Sequence, residues 1–214
     1  MKTLLAFAFM VLSAPALAHH PLAGQEMTTF WHGLLSGIGH PLLGFDHLFF
    51  VLLVGVAAVY TGRSRTAPLA YMATMLAGCA AVTFGAPVPA VEPTIALTLL
   101  ALGLAVITGK TWSAAAVCGL FAIAGVFHGA AFGASMAVAE GSAFGTVLTG
   151  YLLGLGVIQY VLCVGAGYAI TRAWGAMDPH AVPARLAGAM VGGVGLFLTL
   201  EHIEGAAFSA LGIG

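Results

Sequence analysis

The sequence predicts an all-α protein: a polytopic membrane helix bundle of six transmembrane helices that follows a cleaved signal peptide. Two features of composition point to this class, because 61% of the 214 residues are hydrophobic and only 6% are charged. A mean hydropathy of +1.07 is too high for a chain that covers itself with a water-soluble surface. The third feature is the abundance of glycine within the apolar runs, which is typical of closely packed membrane helices.

Charge and cysteine usage exclude several functional classes. A formal net charge of -1 without a basic cluster provides no electrostatic surface for nucleic acid. The lipid bilayer, which the hydropathy requires, is the expected large partner. The cysteines Cys79, Cys118 and Cys163 lie in separate apolar runs without CxxC spacing. We therefore interpret them as packing residues rather than as metal ligands or disulfide partners.

Residues 1–18 have the order of regions that defines a secretory signal. They comprise Lys2, the apolar run Leu4–Leu12 and the small-residue site Ala16-Leu17-Ala18. Cleavage would leave residues 19–214 as a single transmembrane domain that begins His19-His20, and the terminal amine and imidazole of His19 are candidate metal ligands. The alternative is that the segment stays attached as a signal anchor.

Downstream, a segment of moderate helical character over about residues 26–39 is predicted to lie outside the membrane. Six apolar runs follow, each of a length and composition typical of a membrane span. They cover about residues 45–61, 68–86, 94–109, 113–132, 143–171 and 186–204. Polar and proline-bearing connections separate them.

The distribution of basic residues predicts the orientation of these spans. Every Lys and Arg after Lys2 falls in the first, third or fifth connection: Arg63, Arg65, Lys110, Arg172 and Arg185. The positive-inside rule assigns these connections to the cytoplasm, so both mature termini are predicted to be periplasmic in a bacterial inner membrane. An exported amino terminus requires the same orientation.

Three histidines are predicted to share one depth in the membrane. His47 lies sixteen residues before Arg63, His128 eighteen after Lys110 and His202 seventeen after Arg185. At 1.5 Å per residue, each lies roughly 24 to 27 Å above the cytoplasmic boundary, near the outer interface. Ionisable groups within spans are costly and usually functional, so we predict a site in this layer. For any one of them alone, an ordinary position at the headgroup level is the alternative.

Further candidate ligands adjoin this layer. In His40-Pro41-Leu42-Leu43-Gly44-Phe45-Asp46-His47, a Pro and Gly turn allows His40 to face Asp46 and His47, while Glu201 precedes His202. Asp46 is a candidate ligand or partner of His47, with a helix N-cap as the alternative. Imidazole with carboxylate suits nickel, cobalt, copper, zinc or iron(II). Whether His19, His20, His32, Glu140 and Glu204 take part stays open.

The same stretch, followed by Leu48-Phe49-Phe50 and Gly55, resembles the HupE/UreJ family of hydrogenase and urease accessory membrane proteins. In that family an H-P-x-x-G-x-D-H stretch starts the first mature span. The likeness extends over nearly the whole chain and includes an F-H-G element at Phe127-His128-Gly129. It implies nickel uptake across the inner membrane, with His40, Asp46 and His47 as the functional set and His128 as a second element.

One departure from the family pattern concerns the metal. The second element tends to continue as F-H-G-x-A-H-G-x-E, whereas this chain has Phe132 and Ser135 at the positions of that His and Glu. Two potential ligands are therefore replaced. The change leaves cobalt or another divalent metal open beside nickel.

These observations favour a permease that takes up a divalent ion, with nickel or cobalt favoured and zinc as the alternative, rather than an enzyme. No permanently bound cofactor is expected. Urease, hydrogenase or other metalloenzyme maturation proteins are candidate partners. The alternatives are an intramembrane zinc hydrolase that uses His47, His128 and His202, and a sensor or storage subunit that binds metal without transport.

Overall fold

A computed structural model describes residues 26–136 and 143–212 of the chain. Within these ranges the chain is all-helical and has no strand. Its seven helices are α1 (Phe30–Leu43), α2 (Phe45–Val59), α3 (Pro68–Thr83), α4 (Val91–Ile107), α5 (Ala114–Met136), α6 (Phe144–Arg172) and α7 (Val182–Ala210). The predicted signal peptide over residues 1–18 lies outside the described residues.

Each predicted apolar run coincides with one of the helices α2 to α7. The agreement is closest for the run predicted over about 143–171, which is helix α6. The largest difference is in α7, which was predicted over about 186–204 and extends over Val182–Ala210. Glu201 and Glu204 lower the hydropathy of this region, but Glu is a good helix former, so the helix continues beyond the apolar run.

The helices fall into two classes by length. Helices α5, α6 and α7 have 23, 29 and 29 residues and are long and apolar enough to cross a membrane. Helices α3 and α4 are shorter apolar helices of 16 and 17 residues. At 1.5 Å per residue they measure roughly 24 to 26 Å, somewhat less than the hydrocarbon thickness of about 30 Å.

Helices α1 and α2 form a bent pair whose axes differ by 83°. Pro41 lies in the last turn of α1, and Gly44 is both the C-cap of α1 and the N-cap of α2. The pair as a whole passes the length and hydropathy test for a span, as a broken span or a re-entrant loop. The segment predicted over about 26–39 is therefore helical, and as the first part of the bent pair it packs against α6.

Both halves of the bent pair follow α6 in the same direction. Gly33 of α1 lies against the backbone of Val147 and Tyr151, and Gly55 of α2 lies against the backbone of Cys163. The Cys163 thiol donates to the Val51 carbonyl at 3.2 Å. Residues of α1 thus contact the first half of α6, and residues of α2 contact the second half.

The other close helix pairs also rest on glycines. Gly129 and Gly133 of α5 pack against the backbone of α3, which runs parallel to it, and Gly188 and Gly192 of α7 pack against Gly103 of the antiparallel α4. Both pairs have the small-xxx-small spacing of closely packed membrane helices, and a Cβ added at Gly129 would overlap a backbone carbonyl. Close backbone approach therefore defines the bundle.

Three connections meet at one end of the bundle. The Tyr60 hydroxyl donates to the Ala176 carbonyl at 2.9 Å, and Arg185 Nε donates to the Ile107 carbonyl at 2.9 Å. Burial, and then the nearby Asp178 carboxylate, raise the pKa of Tyr60, which keeps its phenol protonated as a donor. The connections that carry the basic residues are thus on the same side of the molecule.

Candidate metal-ion site

The break between α1 and α2 positions the first group of candidate ligands. Gly44 occupies the N-cap of α2 and makes no side-chain cap, while Asp46 lies in the first turn. The alternative that Asp46 is the N-cap is therefore wrong. Its Oδ2 instead lies 3.9 Å from His47 Nε2, with the Asp46 side chain 27% exposed and that of His47 8% exposed. The carboxylate thus stands at the outer edge of a buried imidazole.

The second group is a buried chain of polar side chains from three helices. His47 Nδ1 of α2 lies 2.9 Å from His128 Nδ1 of α5. His128 Nε2 lies 3.1 Å from Thr98 Oγ1 of α4. His128 is fully buried, and Thr98 is 5% exposed. The structure therefore brings His47 and His128 into direct contact, as their predicted common depth suggested.

Hydrogen-bond directions assign the tautomers in this chain. The Thr98 hydroxyl donates its proton to the Ile95 carbonyl at 2.7 Å, so its oxygen accepts from His128 Nε2–H. The Nδ1 of neutral His128 is then an acceptor, and His47 Nδ1–H must be the donor to it. In the neutral form of His47, Nε2 then carries the ring lone pair and lies 3.9 Å from Asp46 Oδ2, which is the form that a cation-binding imidazole requires.

His40 lies close to the same phenylalanine ring as His47. Its Nδ1 is 3.0 Å from the Tyr151 hydroxyl, which also donates to the Phe132 carbonyl at 3.3 Å. The Phe132 ring centroid lies 5.2 Å from that of His40 and 4.4 Å from that of His47. Phe132 thus contacts both imidazoles. Tyr151 was not identified from the sequence, where nothing distinguishes it from other tyrosines in apolar runs.

The remaining candidates that the structure describes are outside the histidine pair. His202, Glu201 and Glu204 are exposed on the last turns of α7. His32 has a local role, because its Nδ1 accepts from the Thr28 backbone N–H at 3.2 Å at the start of α1. The candidates His19, His20 and Glu140 lie outside the described residues.

The structure places Glu92 in the first turn of α4. It is exposed and close enough to interact electrostatically with both Asp46 and His202. The acidic entrance to the histidine pair therefore includes two carboxylates from different helices. The sequence around Glu92, with prolines on both sides, did not indicate that this residue lies near Asp46 and His202.

A further buried polar group lies beyond the histidine pair. The Tyr71 hydroxyl donates to Gln159 Oε1 at 3.0 Å, and Gln159 Nε2 lies 3.6 Å from Met75 Sδ. All three side chains are fully buried. The Phe50 ring stacks on His128 at 4.3 Å and lies 5.5 Å from Tyr71. The Tyr71 ring also meets the His128 ring edge-on at 5.8 Å, so the two polar groups are neighbours.

Within residues 26–136 and 143–212, no group of three or more His, Cys, Asp or Glu side chains lies close enough together to hold a metal ion. Of the three histidines predicted in one layer, two are in contact and the third, His202, is exposed. The ligand set on which the hydrolase alternative depends is thus not assembled in this part of the chain. The chemistry that is present is an imidazole pair with an adjacent carboxylate.

Comparison with known proteins supplies independent information. The chain matches the sequence model of the HupE / UreJ protein family over residues 7–198. It is 32% identical over 162 residues to Protein HupE of Rhizobium leguminosarum bv. viciae, an alignment that covers 72% of this chain and 78% of that protein. No solved structure matches the chain.

Proposed function

Because the chain belongs to the HupE/UreJ family, we propose that it is a divalent transition-metal permease of the bacterial inner membrane. The family is one of accessory and transport proteins rather than enzymes. Nickel is the first candidate substrate and cobalt the second. The metal would supply urease, hydrogenase or another metalloenzyme under maturation.

The observation that carries this proposal is the buried chain from Asp46 through His47 and His128 to Thr98. Polar groups at such depth are expensive, and they are usually retained where a substrate or ion passes. Here α2 contributes Asp46 and His47, α5 contributes His128 and α4 contributes Thr98, and the chain begins at a partly exposed carboxylate. An ion that enters at Asp46 meets the lone pair of His47 Nε2 next.

The entrance favours cations over anions. Asp46 and Glu92 place two carboxylates at the mouth of the site, and clustered charge of one sign raises the local concentration of the opposite ion. One carboxylate and one imidazole leave most coordination positions of the ion to water. Such incomplete coordination suits transport, because a conducting site must release its ion.

The inner part of the path follows helices α2, α4 and α5. Between their other ends lies a cavity of about 290 Å³, lined by residues that include Ala57, Leu102 and Leu120 and opening beside Lys110. The histidine pair and Thr98 belong to the same three helices. We assign this cavity to the inner exit, with apolar side chains such as Leu99 and Phe121, both fully buried, closing the path in this conformation.

The packing directions support the predicted six-span topology. If the bent pair α1–α2 is counted as one span, it runs parallel to α6, α3 runs parallel to α5, and α4 runs antiparallel to α7. These are the directions required when six consecutive spans alternate. The basic connections then share the cytoplasmic side, and the entrance at Asp46 faces the periplasm.

Uptake by reconstituted protein tests the proposal. Liposomes that contain the purified protein and an enclosed nickel-sensitive dye are exposed to external nickel. We expect a dye response for the wild type and a rate at least about tenfold lower for His47→Ala, because the first imidazole ligand is lost. His180→Ala is the matched control, since His180 lies in the connection at the basic end. Equal traces for wild type and His47→Ala would contradict the permease.

The same preparation separates transport from storage or sensing. Equilibrium binding of nickel without a dye response would favour a binding subunit. Repeating the measurement with cobalt and zinc, alone and in competition with nickel, ranks the substrates.

A further inference from the structure

A second polar cavity lies at the basic end of the bundle, remote from the histidine pair. Its volume is about 220 Å³, and it is lined by Val59, Ser64, Arg65, Val164, Gly167, Tyr168, Thr171 and Arg172. These residues come from the end of α2, the connection that follows it and the end of α6. The cavity shares α2 with the proposed ion path, which follows α2, α4 and α5, but none of its lining residues lines the inner cavity of that path.

The polar side of this cavity is suited to an anion. Arg65 and Arg172 line it together, and in the described part of the chain no carboxylate is within ion-pair distance of either guanidinium. The Tyr160 hydroxyl donates to the Arg65 carbonyl at 3.1 Å and holds this part of the connection against α6. Two guanidiniums at one cavity are the usual protein receptor for a phosphate group.

The other side of the cavity is apolar and continues along the surface of α6. Val59 and Val164 form its apolar wall. Gly165 has open space where a side chain would be, between the exposed side chains of Val161 and Tyr168. Tyr168 and the nearby Trp174 are 67% and 62% exposed, which is typical of aromatic residues at the membrane interface. A polar receptor thus opens onto a lipid-facing trough.

We propose that this cavity binds the phosphate headgroup of an anionic phospholipid, with an acyl chain lying along the trough at Gly165. A free phosphate ion fits the two arginines but not the apolar wall and trough, so a lipid matches more of the lining. Basic pockets between membrane helices on the cytoplasmic side are recognised sites for such headgroups. The site is independent of the proposed transport.

Native mass spectrometry of the detergent-purified protein with equal amounts of phosphatidylglycerol and phosphatidylcholine, matched in acyl chains, tests the site. We expect the wild type to retain phosphatidylglycerol preferentially. The variant Arg65→Gln/Arg172→Gln should lose that preference, since each basic residue contributes about fivefold to binding an anionic lipid. The charge-matched control Arg63→Gln/Lys110→Gln, at the same end but outside the cavity, should retain it.

Three outcomes would overturn the proposal. The first is equal retention of both lipids by the wild type, and the second is an undiminished preference in the Arg65→Gln/Arg172→Gln variant. The third is a wild type that binds inorganic phosphate through these arginines but retains phosphatidylglycerol no better than phosphatidylcholine, which identifies a free-anion site. If circular dichroism shows that the double variant is unfolded, the single variants Arg65→Gln and Arg172→Gln replace it, and the wild-type lipid ratio remains decisive.

Discussion

Phe132 contacts both imidazoles that flank the break between α1 and α2. Its ring centroid lies 5.2 Å from that of His40 and 4.4 Å from that of His47. In the family pattern this position tends to be a histidine. The chain therefore has an apolar ring at the place where a third imidazole would face both of the others.

This geometry predicts a gain of function from Phe132→His. An imidazole at this position would add a nitrogen ligand between His40 and His47, and we expect nickel to bind at least about tenfold more tightly. Isothermal titration calorimetry of the purified variant measures the change. Phe132→Leu is the control, because it shortens the ring without adding a ligand. If both variants bind nickel equally, Phe132 does not occupy a ligand position.

Thr98 fixes the orientation of His128. In Thr98→Val the methyl group replaces the hydroxyl, and the buried His128 Nε2–H loses its acceptor. An unsatisfied buried donor costs about 1–3 kcal/mol, so we expect a lower free energy of unfolding and slower nickel uptake. Denaturant titration in detergent and the liposome assay measure the two effects. Thr108→Val, at the exposed end of α4, should change neither; unaltered stability in Thr98→Val would argue against the assigned tautomer.

Sequence reasoning located several of these residues but not their contacts. Counting residues from the basic connections placed His47 and His128 at one depth, and they are in contact. The same count placed His202 there, yet it is exposed on α7. Counting along a helix gives a depth, whereas contact also depends on which face of the helix turns inward and which helices are neighbours. The role of Tyr151 likewise depends on packing.

At the scale of helices, the bundle depends on glycines at which the backbone of a neighbouring helix occupies the space that a side chain would fill. Gly55 lies directly against the Cys163 carbonyl, and a Cβ there would overlap that carbonyl group. Such overlap forces the rigid helices apart, because neither backbone can yield as a flexible side chain would. The glycine spacing in the sequence predicted close helix pairs, but it did not identify the partners.

We therefore expect Gly55→Ala to destabilise the protein by about 1–3 kcal/mol by separating α2 from α6. Gly165→Ala on α6 is the matched control, because its Cβ would meet no atom within 4 Å; it should be neutral or slightly stabilising through helix propensity. Thermal unfolding of both variants in detergent measures the difference. Equal unfolding temperatures would show that the two helices are not in close contact at Gly55.

Helix positions were well predicted because long apolar runs are a strong signal, whereas the break was only partly predicted. Pro41 and Gly44 indicated a turn before α2. The sequence predicted the first helix as an outer segment, and the structure adds that α1 packs along the first half of α6. Helix α1 is 14 residues long, and its run of apolar and small residues is too short for the sequence alone to identify it as half of a span.

At the scale of the whole molecule, the connections that carry the basic residues meet at one end. The six-span topology assigns this end to the cytoplasm. Accessibility of engineered cysteines tests this assignment. In a chain whose native cysteines are replaced by alanine, we expect Pro87→Cys, in the connection between α3 and α4, to react with an impermeant maleimide in cells whose outer membrane is permeabilised.

Ser64→Cys, in the connection between α2 and α3, should react only after the inner membrane is opened. Denatured samples of both variants provide the control for full reactivity. Labelling of both positions from the same side would contradict the alternation of spans and, with it, the periplasmic entrance at Asp46.

Gly44 is the single residue between α1 and α2, so the relative position of the candidate ligands on these two helices depends on its backbone conformation. Helix α6 packs against α1, which carries His40, and against α2, which carries His47. A change in the backbone distance between the two histidines therefore requires a rotation at Gly44 or a shift of one helix along α6. A Cβ on Gly44 would lie 3.0 Å from His47 Cδ2 and 3.4 Å from Asp46 Oδ1. With φ at -84°, the backbone itself does not demand glycine. The side chains of the candidate ligands Asp46 and His47 leave little room for a larger residue at this position. A redesign of metal selectivity must therefore consider Gly44 together with these two side chains.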